Sequence, residues 1–139
     1  MDKKYKIGYT TGVFDMFHIG HLNILRRAKE QCEYLIVGVS TDDLVEQYKN
    51  KKTIIPFEQR KAIVEAIKYV DKVVPQEDMD KVKAVKELNA NAVFVGSDWQ
   101  NTAAWIKYEQ QFKEFNCEVC YLSHTEGISS TLLREKINK

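Results

Sequence analysis

Tyr5-Lys6-Ile7-Gly8-Tyr9-Thr10-Thr11-Gly12-Val13-Phe14-Asp15-Met16-Phe17-His18-Ile19-Gly20-His21 is the stretch on which the fold turns. Residues 5–11 are rich in aromatic and β-branched side chains and read as a strand. Residues 19–31 read as a helix. Gly12 stands between them and permits a tight turn out of the strand. A strand that hands the chain to a helix across a short turn predicts an α/β domain.

The same alternation continues outward. Residues 34–40 form a near-continuous apolar run, expected of a strand buried on both faces. Residues 42–48 suit a short helix capped by Thr41 or Asp42, and residues 49–56 a basic loop. Residues 57–69 carry Ile63, Ile67 and Val70 on one helical face. Strands follow at 71–75, 92–95 and 117–122, with helices at 80–89, 102–115 and 130–137. This order predicts a doubly wound, five-stranded parallel sheet with helices on both faces. With 139 residues the chain fits one domain, residues 1–139. Ligands of such sheets bind beyond the carboxyl ends of the strands, where strand order reverses. The segments after Thr11, Val95 and Leu122 are therefore the place to look.

Composition narrows the function. At 44% hydrophobic residues the chain is neither disordered nor membrane-embedded, and no apolar run is long enough to span a bilayer. The start, Met1-Asp2-Lys3-Lys4-Tyr5, lacks the features of a signal peptide. A formal charge of +1 provides no field to recruit nucleic acid. The cysteines, Cys32, Cys117 and Cys120, are odd in number, which suits free thiols in a reducing, cytoplasmic compartment. Cys117 and Cys120 sit three apart on a predicted strand, so their thiols should point to opposite faces and not share a zinc ion.

His18 and His21 lie three apart at a helix start, so both can face one ligand. Free N–H groups and the helix dipole already favour an anion there. Gly20 lets a phosphate approach the backbone, and two imidazoles would donate to oxygens that gain charge during phosphoryl transfer. A metal held by His18, His21 and Asp15 lacks any further ligand cluster nearby. Gly96-Ser97-Asp98-Trp99 follows the fourth strand. His124-Thr125-Glu126-Gly127-Ile128-Ser129-Ser130-Thr131 follows the fifth and enters the last helix with several hydroxyl donors. Lys49, Lys51 and Lys52 lie in a loop aimed at the same edge, where a flexible basic segment would cover a triphosphate.

Taken in order, these elements resemble the cytidylyltransferase family, above all its glycerol-3-phosphate branch. The resemblance rests on Gly12-Val13-Phe14-Asp15, His18-Ile19-Gly20-His21, Lys49-Asn50-Lys51-Lys52, Arg60, Tyr69-Val70-Asp71, Gly96-Ser97-Asp98-Trp99 and Thr125-Glu126-Gly127-Ile128-Ser129. It implies a Rossmann-like fold, a homodimer, CTP with Mg²⁺, and a CDP-alcohol product made from a small phosphorylated alcohol. His18, His21 and Lys51 would be catalytic. Val13, Phe14, Asp15, Gly20, Asp98, His124, Thr125, Gly127, Ile128, Ser129, Ser130 and Thr131 would join them around the nucleotide. Lys49 and Lys81 would hold the acceptor, while Arg60, like Asp71, would be structural or dimer-related, or else reach the acceptor site as well. The family usually has threonine at the place of Val13 and arginine at the place of His124, for which Arg134 would substitute. Residues 128–134 also resemble an adenylyltransferase signature, so ATP is the alternative donor, and a non-catalytic nucleotide-binding module is a further one. Trp105, Tyr108 and Phe112 fall in a segment longer than in close family members, and either pack as a helix face or line the acceptor pocket. The same His-Ile-Gly-His also marks class I aminoacyl-tRNA synthetases, but the chain is too short and lacks their Lys-Met-Ser-Lys-Ser partner motif.

Overall fold

The computed structural model of the chain describes residues 4–50 and 52–123. Five strands, β1 (Tyr5–Gly12), β2 (Cys32–Ser40), β3 (Lys72–Gln76), β4 (Ala92–Gly96) and β5 (Glu118–Leu122), form one sheet. Their order is β3-β2-β1-β4-β5, and every adjacent pair is parallel. Between them run α1 (Ile19–Gln31), α2 (Asp42–Lys49), α3 (Phe57–Glu65), α4 (Lys81–Leu88) and α5 (Ala103–Lys113). A 3₁₀ turn at Ser97–Trp99, absent from the sequence reading, follows β4 directly.

Chain handedness explains the two layers. Right-handed crossovers from β1 to β2 and β3 place α1 and α3 on one face. Reversal of direction at β1 then sends α4 and α5 to the other. Two separate cores result. Leu25, Ala28 and Val64 pack with Leu35, Val37, Val39 and Phe94 on the α1/α3 side. Val85, Trp105 and Phe112 pack with Tyr9, Ile36 and Val93 on the α4/α5 side. The reversal point is β1, hydrogen-bonded to β2 on one edge and β4 on the other. The doubly wound architecture is thus the one expected.

Helix starts follow local chemistry. Thr41, Asp80 and Thr102 cap α2, α4 and α5, each accepting a backbone N–H three residues on. Pro56 provides no side-chain cap for α3, and Asp42 Oδ2 accepts the Phe57 N–H instead, at 3.2 Å.

Three details correct the sequence reading. Helix α3 stops at Glu65, and its buried residues are Arg60 and Val64, while Ile63 is 43% exposed. The periodicity misled because an arginine was not counted as an inward residue. Lys49 closes α2, so the basic loop begins at Asn50, whose left-handed φ of 52° ends the helix. Gly12 keeps strand geometry, and the left-handed backbone falls on Phe14 (φ 54°) and Met16 (φ 50°). Gly12 matters for another reason: a Cβ there would lie 2.9 Å from the Phe14 ring. The two cysteines do diverge, Cys117 into the α4/α5 core and Cys120 against the α1/α3 core. The predicted helix at 130–137 lies outside the described residues.

Gly8 sits in the middle of the central strand, and a Cβ on it would fall 2.5 Å from Phe94 Cε2 and 2.8 Å from Cys32 Sγ. Gly8→Ala should therefore cost about 1–3 kcal/mol through overpacking. A urea melt checks this: the midpoint should drop with an unchanged slope, and an unmoved midpoint would contradict the packing described.

Candidate active site

Loop 13–18 leaves the central strand and enters α1, and its geometry is set by two histidines. His18 is the N-cap of α1, and its Nδ1 accepts the Gly20 N–H at 3.0 Å. The His18 backbone N–H in turn donates to His21 Nδ1 at 3.2 Å. This is a reciprocal capping box built from imidazoles. The rings stack, with centroids 3.9 Å apart and planes 20° from parallel.

The capping bonds decide the chemistry. A backbone amide can only donate, so both Nδ1 atoms must be unprotonated acceptors. Each neutral ring then carries its proton on Nε2. Burial holds both imidazoles below the ordinary histidine range. For His21 burial, with a smaller push from His18 and an opposing pull from Asp15, brings the value to about 4. Both rings are therefore neutral Nε2–H donors near pH 7. His18 Nε2 is shielded from solvent and has no hydrogen-bond partner among the described residues. Leaving such a donor unmet costs about 1–3 kcal/mol, so the site is built for an acceptor that arrives with a ligand.

Phe14, buried in the α1/α3 core, meets the His21 ring edge-on at 5.4 Å, and Phe17 lies 5.3 Å away. These rings support the imidazole from beneath; neither offers a polar contact to a nucleotide. Gly20 is buried and spends its N–H on His18.

Asp15 is 2% exposed, and its two carboxylate oxygens accept the Ile54 and Ile55 N–H groups, both at 2.8 Å. It fastens the second half of the 50–56 loop to the histidine loop. Arg60 locks the other side. Its Nε donates to the Ile55 carbonyl (2.8 Å), Nη1 to the carbonyls of Val13 and Ser40 (2.7 Å each), and Nη2 to Asp42 Oδ1 (2.6 Å). Thr53 Oγ1 donates to the same Asp42 oxygen at 2.9 Å. The Arg60 side chain has 0% exposure. Of the two roles the sequence left open for it, this bonding is that of a structural residue. Its donors point inward at the ends of β1 and β2, so it shapes the loops and has no surface to offer a phosphate. Asp42, read from the sequence only as a candidate helix cap, and Thr53, absent from that reading, complete this clamp; nothing in a linear pattern pairs residues this far apart.

Lys81, by contrast, reaches the sheet edge. Its Nζ donates to Thr11 Oγ1, the penultimate residue of β1, at 3.2 Å. Val13 contributes its carbonyl to Arg60. Asp98 is exposed in the turn after β4, the strand beside β1, and Lys49 is exposed at the end of α2. The structure thus gathers residues 11–21, Ile54–Ile55, Arg60 and Lys81 around the end of β1. Lys51, His124, Thr125, Gly127, Ile128, Ser129, Ser130 and Thr131, with Arg134, lie outside the described residues. The approach to that last segment is anchored: Arg27 of α1 donates to the Ser123 carbonyl and to its Oγ. Among the described residues no group of three or more His, Cys, Asp or Glu could cage a metal. None of their helices is long and apolar enough to cross a membrane.

The suppressed basicity of His21 has a measurable consequence. Unfolded, the ring titrates near 6.5; folded, near 4. Between those values the unfolded chain binds more protons, so stability rises with pH there and falls as pH drops from 6.5 toward 4. Urea melts at pH 7 and pH 5 should show the parent losing about 1–2 kcal/mol more than His21→Gln, after solvent screening. Equal losses would show that the ring is not held neutral.

Comparison with known proteins agrees with this arrangement. A family model described as cytidylyltransferase-like matches residues 9–136. The glycerol-3-phosphate cytidylyltransferase of Staphylococcus aureus (strain NCTC 8325 / PS 47) is 40% identical over 129 residues, 92% of either chain. The FAD synthase of Archaeoglobus fulgidus is 38% identical over 109 residues, 78% of either chain. Among solved structures, a lipopolysaccharide core biosynthesis protein from Thermoplasma volcanium superposes with a TM-score of 0.71. At 24% identity, it covers 87% of this chain and 97% of that one, and shares the fold. Because the family model spans nearly the whole chain and the Staphylococcus relative matches 92% of it, this chain belongs to the cytidylyltransferase-like family.

Proposed function

We propose that the chain is a glycerol-3-phosphate cytidylyltransferase, joining CTP and glycerol 3-phosphate into CDP-glycerol and pyrophosphate. One observation carries the chemistry: a solvent-shielded Nε2–H on His18 with no partner among the described residues, its tautomer fixed by backbone bonds beside a second neutral imidazole. The donor and acceptor follow from the Staphylococcus relative, matched over 92% of both chains.

A phosphate oxygen of the acceptor attacks the α-phosphorus of CTP in line. The new O–P bond forms as the bond from the α-phosphorus to the bridging oxygen breaks, and pyrophosphate takes the electron pair. No proton must be moved to or from the nucleophile. The protein's task is to orient the reactants and stabilise charge on the phosphoryl oxygens. His18 and His21 donate from Nε2 to those oxygens. Being neutral, they stabilise growing charge without surrendering a proton. Lys51 meets the nucleotide phosphates, Lys49 and Lys81 the acceptor phosphate. Asp98 and residues 124, 125 and 127–131 surround the nucleotide, with the loop clamped by Asp15 and Arg60 closing over it.

Mg²⁺ enters with CTP. It needs no dedicated cage, since it keeps phosphate and water ligands and takes few carboxylates; Asp98 is an exposed carboxylate in the turn after β4, the strand beside β1. Bound there, it would neutralise phosphate charge. The assembly is a homodimer of one domain per chain, working in the cytoplasm. ATP is the second reading, favoured by the FAD synthase relative, whose product carries adenine.

Pyrophosphate release with CTP or ATP against a panel of phosphorylated alcohols tests the reading. Turnover should require CTP and be fastest with glycerol 3-phosphate; preference for ATP would overturn the base assignment. His18→Ala and His21→Ala should each lower kcat by ~10²–10³. Near-parent turnover in both would remove the imidazoles from the mechanism.

A further inference from the structure

Lys81 is a buried cation with unfinished bonding. It is 9% exposed, and its Nζ makes one hydrogen bond, to the neutral hydroxyl of Thr11. An ammonium has three N–H donors. No carboxylate among the described residues pairs with it. Burial alone has pushed its pKa down to about 8. A charge in that setting is retained where an anion comes to meet it.

What covers the ammonium on its other side is an aromatic ring. Trp105, 6% exposed, has its ring centre 5.7 Å from Lys81 Nζ. That lies within reach of a cation–π attraction, which strengthens when the pair is dry. The ring is not free to drift. Its backbone N–H is held by the Thr102 cap at 3.4 Å. It packs edge-to-face with Tyr108, ring centroids 5.1 Å apart, and Tyr108 stacks on Phe112 at 5.7 Å. The Tyr108 hydroxyl donates to the Met79 carbonyl at 3.4 Å, two residues before Lys81. Helix α5 is thereby tied to the segment that opens α4. The Trp105-Tyr108-Phe112 stripe packs as a helix face and still governs a charge at the sheet edge.

We propose that Trp105 is a positioning residue for the acceptor. It holds the Lys81 ammonium, shielded from water, at the end of β1, so that the phosphate of the phosphorylated alcohol completes its bonding. Acceptor binding then depends on α5, while the histidine side of β1 handles the nucleotide. This rests on the transferase reading above.

The test compares Trp105→Phe, which keeps an aromatic face, with Trp105→Met, which keeps bulk without one. Initial rates of pyrophosphate release are measured with CTP and glycerol 3-phosphate varied in turn. Trp105→Met should raise the KM for glycerol 3-phosphate by ~10-fold, with Trp105→Phe within ~3-fold of the parent. The KM for CTP should stay within ~2-fold in both, a split that general loosening of the fold would not produce. Equal rises for both substrates, or an unchanged acceptor KM, would overturn the proposal. Should Trp105→Met fail to fold, fluorinated tryptophan in a Trp99→Phe background weakens the ring's attraction without changing its shape. The acceptor KM should then climb with fluorine content, and a flat series would count against the idea. Calorimetry with glycerol 3-phosphate separates the two layers of inference. Binding to the parent that Trp105→Met weakens ~10-fold upholds this site even if no CTP turnover is seen, in which case only the transferase reading fails. Absence of binding to the parent defeats the site itself.

Discussion

Two backbone amides govern this molecule's chemistry. By donating to Nδ1 of His18 and Nδ1 of His21, the amides of Gly20 and His18 leave each imidazole one protonated nitrogen, Nε2. Without those bonds a histidine at a helix start would be free to rotate, switch tautomer and gain a proton. With them, the stacked pair becomes a fixed two-donor surface, and burial keeps it uncharged. Preorganised donors of this kind need no rearrangement when charge builds on a phosphoryl oxygen.

That surface depends on where the loops around it are pinned. Arg60 gathers the carbonyls of Val13, Ser40 and Ile55, ends of three different segments, onto one guanidinium. Asp15 returns the favour from the histidine loop by taking the amides of Ile54 and Ile55. The fully buried charge of Arg60 is tolerable because every bond it makes is charge-assisted and its partner Asp42 is ion-paired with it. Asp42 also accepts the first N–H of α3, so the helix start, the loop and the end of β1 form one connected unit.

The middle of the sheet was readable from the sequence because β2 is buried on both faces from Leu35 to Ser40, and an apolar run such as 35–39 admits few alternatives. The sequence pointed to the segments after Thr11, Val95 and Leu122, and the strand order β3-β2-β1-β4-β5 singles out the end of β1 among them. His18 and His21 stood out by spacing, and their proximity in space follows from three residues of helix. Arg60 stood between a structural role and an acceptor-binding one, because a lone arginine on a helix gives no hint that its partners lie at the ends of strands 20 and 47 residues away. Trp105 left two readings open, since an aromatic stripe looks alike whether it merely packs or also faces a buried ammonium. Gly12 was explained by the wrong property: its missing side chain makes room for Phe14, and the turn is carried by two residues with left-handed backbones.

Nitrogen NMR of histidine-labelled protein, saturated with CTP and Mg²⁺ at pH 7, examines the locked imidazoles directly. His18 and His21 should both show neutral rings with the proton on Nε2, and their Nε2–H signals should move on addition of the nucleotide. A doubly protonated ring, or a proton on Nδ1 of either residue, would contradict the capping geometry and the donor role built on it.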